Sequence, residues 1–211
     1  MQYFIKAPKA LKTLKFYDDL AYVFNYKLLK ELKKFKNNNI FLNSLIVFAF
    51  NEALELFTKP KSYFLDQVKR ALFKVAKLKA FGVIIKLPTY NLTDPSIFGV
   101  KNLDIIARLG ELLNVKVFID SYEDNIIKFI LENKTRNSLL FINDIETNRI
   151  INSNTKLVYF DNHLFLNSSQ NDQDAYLTKL RRIVQKDFLG VVFKSDEDIL
   201  KLINIINEEL N

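Results

Sequence analysis

A short apolar run that ends on a polar residue and passes into a helical stretch recurs through the second half of this chain. The clearest cases are residues 115–120 (Val-Lys-Val-Phe-Ile-Asp), 138–144 (Ser-Leu-Leu-Phe-Ile-Asn-Asp), 156–161 (Lys-Leu-Val-Tyr-Phe-Asp) and 189–196 (Leu-Gly-Val-Val-Phe-Lys-Ser-Asp). Runs this short, rich in β-branched and aromatic residues and apolar on successive positions, suit strands buried on both faces. Strands that alternate with helices predict a mainly parallel sheet joined by right-handed crossovers.

The same pattern predicts a strand at 81–87 and leans toward one at 45–50. Helices are expected at about 62–79, 103–113, 122–133, 172–186 and 197–209, with a short or irregular one near 145–151. Asp18 or Asp19 is placed to cap a helix running to about Phe35, because Leu20, Val23, Phe24, Leu28 and Leu32 recur at helical spacing. Two long loops, 88–100 and 161–171, follow strand ends, where loops of that length are often functional. The expectation is an α/β fold with a parallel sheet of five or six strands and helices on both faces, flavodoxin- or Rossmann-like. Residues 1–80 would form a basic, mostly helical segment packed on an α/β domain of residues 81–211. A partial or distorted β/α barrel is the alternative, since a full eight-unit barrel runs to about 250 residues and this chain has 211. The strand–lysine–helix order at Phe193-Lys194-Ser195 resembles, in topology, the closing units of receiver-type response regulators, which implies a flavodoxin-like sheet. Lys86-Leu87-Pro88 stands where receivers place acidic residues.

Composition narrows the chemistry. The chain has no cysteine and one histidine, His163. Disulfides, thiolate metal sites, a cysteine nucleophile and a multi-histidine metal site are excluded within one chain. The lack of cysteine fits a cytoplasmic protein. No secretory signal is visible, and the longest apolar run, residues 45–50, is far too short to span a membrane. Phosphate-loop, dinucleotide-fingerprint and nucleophile-elbow motifs do not occur.

Charge is unevenly spread. Residues 1–80 hold sixteen Lys/Arg against six Asp/Glu, a net +10; residues 81–211 hold fifteen against eighteen, a net −3. A basic half points to a polyanion or an acidic surface as partner. The residues expected to contact phosphates are Lys27, Lys30, Lys34, Lys69, Arg70, Lys74 and Lys77, on the outer faces of the N-terminal helices. Tyr17, Tyr22, Tyr26, Tyr63 and Phe73 lie among them, and aromatic rings can stack on bases.

At the strand ends, Asp120, Asp144 and Asp161 form a candidate metal set, with Glu123, Glu146 and Asp196 near it. Carboxylates converging there would hold Mg²⁺, a hard cation that takes oxygen ligands and bridges to phosphate. The competing role is helix capping: Ser121-Tyr-Glu-Asp124 and Ser195-Asp-Glu-Asp198 read as capping boxes. Asp120 and Asp161 precede the expected cap positions and are the stronger ligands. His163, just past a strand end, is the acid/base candidate with Asp161 or a neighbour as orienter. Three functions follow as expectations: an intracellular protein binding the phosphate backbone of RNA or DNA through its basic helices; a Mg²⁺-dependent phosphoesterase or nuclease at the acidic edge; and a scaffold for an acidic protein.

Overall fold

The computed structural model describes residues 1–7, 20–28, 43–49, 62–86, 100–120, 128, 139–145, 155–184 and 188–210. Among these residues eight strands form: β1 (Gln2–Lys6), β2 (Ala21–Asn25), β3 (Leu45–Ala49), β4 (Gly82–Lys86), β5 (Lys116–Asp120), β6 (Leu139–Asp144), β7 (Thr155–Phe160) and β8 (Gly190–Phe193). The helices are α1 (Ser62–Lys77), α2 (Val100–Leu112), α3 (Asn162–Leu166), α4 (Gln170–Ile183) and α5 (Ile199–Leu210), with a 3-10 turn at Tyr26–Leu28. The hydrogen-bonded strand order follows the chain from β1 to β8, and β8 pairs in parallel with β1. That is the strand order of a β/α barrel. It corrects the expected sheet of five or six strands, and the alternative fits better. In a flavodoxin-like order the sheet reverses direction at a switch point, whereas here each new strand is added on the same side.

The surplus strands lie in the stretch expected to be helical. Ala21–Asn25 is a strand, in place of the start of a helix capped by Asp18 or Asp19. Tyr22, Val23 and Phe24 are buried consecutively, which requires cover on both faces and defeats a helical stripe. Gln2–Lys6 buries only Phe4 and Ile5 among its five residues, too little apolar sequence to stand out. Residues 29–42 and 87–99, Lys30 and Lys34 among them, lie outside the described residues, as do most of the expected helices at 122–133 and 145–151.

Contacts divide the chain into two compact units, Phe24–Leu140 and Met1–Val23 with Phe141–Asn211. In the first, β3, β4 and β5 pair in parallel, with Leu45 opposite Gly82 and Gly82 opposite Lys116. Helix α1 buries Phe64, Leu65, Val68, Ala71, Leu72 and Val75 along one face. It ends in a hydrogen-bonded C-cap: the Lys79 amide donates to Ala76 and the Ala80 amide to Val75. Lys79 takes φ 53°, the left-handed conformation this cap needs and glycine usually supplies. Helix α2 ends the same way, with Asn114 at φ 52° and the Val115 amide on Gly110 O at 2.8 Å. The two helices thus turn directly into β4 and β5. Gly110, a weak point on helix propensity alone, is a contact point: a Cβ there would sit 2.8 Å from Val117 Cγ2 and 2.9 Å from Val115 O.

In the second unit β7, β8 and β1 pair in parallel, with Gly190 opposite both Leu157 and Gln2. The rings of Phe160, Phe165, Tyr176 and Phe193 cluster, and Tyr3 of β1 stacks on Phe193. Burial pushes the Tyr3 phenol up to about 12, and its hydroxyl donates to Asn207 Oδ1 on α5. A phenol whose pKa is higher folded than unfolded keeps its proton longer in the folded state, so its contribution is intact below pH ~10 and fades as pH rises toward ~12. Wild type should therefore lose more stability than Tyr3→Phe when denaturant midpoints are compared across that window. Identical pH slopes would remove this account of Tyr3.

Candidate functional site

The predicted acid/base residues, Asp161 and His163, fall just past the carboxyl end of β7. Asp161 follows β7 and is the N-cap of α3, its Oδ1 accepting from the Leu164 amide at 3.0 Å. It was expected to precede the cap; it is the cap, because α3 begins at once where a long loop was expected. Its Oδ2 lies 3.4 Å from Lys194 Nζ, just past β8. Its backbone N–H donates to the Tyr176 hydroxyl at 3.0 Å, which ties the strand end to the aromatic cluster. Asn162 is fully buried and divides its amide: Nδ2 donates to Glu197 O at 3.1 Å, and Oδ1 accepts from the Ser195 amide at 3.4 Å. It thereby holds the segment between β8 and α5.

His163 sits on α3 with its side chain 78% exposed, Nδ1 3.4 Å from Glu197 Oε2. Asn167 Nδ2 is 3.2 Å from the same Nδ1 and donates to His163 O at 2.7 Å. One ring nitrogen therefore faces both an acceptor and a donor. A neutral ring with bare Nδ1 accepts from Asn167; a protonated ring donates to Glu197. An ion pair this exposed contributes little energy. Glu197 is a carboxylate beside the imidazole. Nothing in the sequence signals that pairing, since Glu197 reads as part of a capping box. That box is not formed as expected: Ser195 Oγ accepts from the Glu197 amide at 3.4 Å, Asp198 takes φ 45°, and α5 begins only at Ile199.

Asp120 ends β5 in the first unit, 2% exposed and opposite Lys86 in register. Asp144 ends β6 and pairs with Tyr159, two residues before Asp161. Among the described residues no group of three or more His, Asp and Glu is placed to hold a metal ion. Glu123, Glu146 and the 121–124 capping box lie outside the described residues.

The basic residues form a second candidate. On α1, Arg70, Lys74 and Lys77 are exposed and Lys69 is half-buried. At about 100° per residue, Arg70, Phe73, Lys74 and Lys77 share roughly 100° of arc, opposite the buried face. Lys74 Nζ lies 4.7 Å from the centroid of the Tyr26 ring, which meets Phe48 edge-on at 5.1 Å. Lys27, next to Tyr26, is exposed, its amide donating to Asn25 Oδ1 at 2.9 Å. Of the aromatics expected to stack, Tyr22 is buried, Tyr26 and Tyr63 are half-buried and Phe73 is 50% exposed. Asp66 is the acidic residue on the same arc.

The described strands follow a β/α-barrel order, with a basic helix face in the first unit and a polar, charged strand edge in the second. No family model matches the chain, and no curated protein matches it in sequence. Among solved structures it is similar to the one described as IOLI protein with a binding zinc atom, at 13% identity and TM-score 0.59 over 99% of this chain and 96% of that one. At that identity the likeness is one of fold. A second structure, of an uncharacterized protein from Parabacteroides distasonis, matches at 12% identity and TM-score 0.45 over 79% of this chain and 66% of that one. No described helix is long and apolar enough to cross a membrane.

Proposed function

We propose that this chain is a nucleic-acid-associated β/α-barrel protein that binds phosphate backbone through the basic face of α1. The observation that supports it is the exposed run of Arg70, Lys74 and Lys77 on one side of a helix whose other side is core. The net +10 of residues 1–80 supplies a field of matching sign, and cations spaced along a helix can each displace a counterion from a polyanion. The phosphoesterase reading is less well supported. It needs a shared cation, and Asp161 already divides its carboxylate between the Leu164 amide and Lys194. The zinc named for the IOLI structure belongs to that protein. A catalytic zinc takes three protein ligands, commonly histidines, and this chain has one histidine and no cysteine.

Fluorescence anisotropy with RNA and DNA oligonucleotides over a salt series tests the proposal. Binding should weaken as salt rises, with a log–log slope of about −0.7 per neutralised phosphate on single strands. The combined variant Arg70→Glu, Lys74→Gln, Lys77→Glu should bind at least about tenfold more weakly for every sequence, with a slope shallower by roughly 2. No binding at low salt, or binding indifferent to salt, would sink the proposal. Salt-dependent capture of an acidic protein in its place would favour the scaffold function.

A further inference from the structure

Resting on the nucleic-acid reading of α1, we infer that this face takes single-stranded nucleic acid, with Phe73 as the platform for an unpaired base. Phe73 is half exposed on a helix whose other large apolar side chains are turned inward. It stands three residues after Arg70, directly before Lys74 and four before Lys77. Positions three and four apart on a helix are neighbours on its surface, so the ring lies among cations. That combination suits a flexible strand: backbone phosphates go to the lysine and arginine heads, and a base turned out of the strand lies on the ring. A duplex offers the same phosphates. Its base faces, however, are covered by their neighbours in the stack, and the deep, narrow major groove of an RNA helix does not admit side chains. A ring on a convex helix surface therefore adds affinity only for unpaired bases. Lys74 is drawn over Tyr26, which leaves the Phe73 ring bordered by Arg70 and Lys77. Asp66, one turn before Arg70, opposes phosphate approach at that end, so Asp66→Asn should tighten binding.

The test uses the full chain with an unstructured uridine or thymidine oligonucleotide and a duplex carrying the same number of phosphates. Wild type should prefer the single strand. Phe73→Ala should weaken single-strand binding about tenfold and leave duplex affinity and the salt slope unchanged. The chain contains no tryptophan, so Phe73→Trp places one reporter at the platform. Its indole fluorescence should be quenched by the single strand and not by the duplex. Equal affinity for both forms, or Phe73→Ala binding the single strand as wild type does, overturns the inference while salt-dependent binding keeps the broader proposal. Absence of binding to either form overturns both. Capture of an acidic peptide that is lost in Phe73→Ala, with no affinity for oligonucleotides, also overturns both.

Discussion

Phe160→Ala should cost about 3–5 kcal/mol of folding stability, the range for truncating a fully buried ring. Phe160 ends β7 and has no exposed surface. Its ring centroid lies 5.2 Å from that of Phe165 on α3, 5.0 Å from Tyr176 on α4 and 5.6 Å from Phe193 on β8. Three other elements therefore lose a common neighbour when it is removed. The contacts are edge-on or tilted, the geometries aromatic pairs favour beyond area alone. The loss should also loosen Tyr176, whose hydroxyl accepts from the Asp161 amide. Strand end, cap and cluster are thus coupled. Urea denaturation followed by circular dichroism would give the cost from the shift in midpoint. Phe160→Leu, which keeps most of the volume, should lose much less. A loss below roughly 1 kcal/mol for the alanine variant, the size of an ordinary surface change, would mean the cluster collapses to fill the gap and is not the hub described.

The parallel strands of the second half were legible because each is a near-continuous apolar run bounded by polar residues. Gly82–Ile85 is wholly buried and then meets exposed Lys86, a boundary the sequence displays. Helix α1 was legible for the opposite reason: a stripe at period 3.6 is long enough to read over sixteen residues. β1 and β2 were not legible. Tyr3-Phe4-Ile5 is too short to signal an element, and Leu20, Val23 and Phe24 match helical spacing by coincidence. A buried strand and a helix segment of that length carry the same pattern, and pairing with β1 decides between them: Phe4 meets Ala21 and Ile5 meets Tyr22. The strand count, and with it the choice between an open sheet and a barrel order, depended on those two segments.

For the site, the strand-end positions of Asp120, Asp144 and Asp161 were readable, and their surroundings were not. Asp161 becomes a cap because α3, five residues long, is below the length at which periodicity says anything. The approach of Glu197 to His163 joins residues thirty-four apart in sequence through the buried amide of Asn162, a contact only the pairing of β7 with β8 creates. Among the described residues the basic face was readable as a surface, with one exception. Lys69 lies closer to the buried stripe than Arg70, Lys74 and Lys77 and is half-buried, as long lysine stems often are.

Gly190→Ala should destabilise the chain by about 3 kcal/mol, at or beyond the upper end for overpacking a core. Gly190 opens β8 and lies between Leu157 of β7 and Gln2 of β1 in register. A Cβ built there overlaps the Gln2 carbonyl oxygen and sits 2.8 Å from its carbonyl carbon and 3.2 Å from its nitrogen. All three are backbone atoms of a paired strand, so no side chain can rotate to relieve the clash. The Gln2 amide donates to Leu189 O at 2.8 Å and the Leu189 amide to Lys156 O at 2.8 Å. Moving β1 away therefore stretches the hydrogen bonds that join first strand to last. Gly82 provides the comparison. A Cβ there meets Lys116 O at 2.6 Å and the Phe118 ring at 3.0 Å, a lesser overlap in which one neighbour is a side chain. Gly82→Ala should be measurably milder. Thermal and urea midpoints of both variants check the ranking. If Gly190→Ala unfolds at the wild-type midpoint, the close approach of β8 to β1 is wrong, and with it the closure of the strand order at that seam.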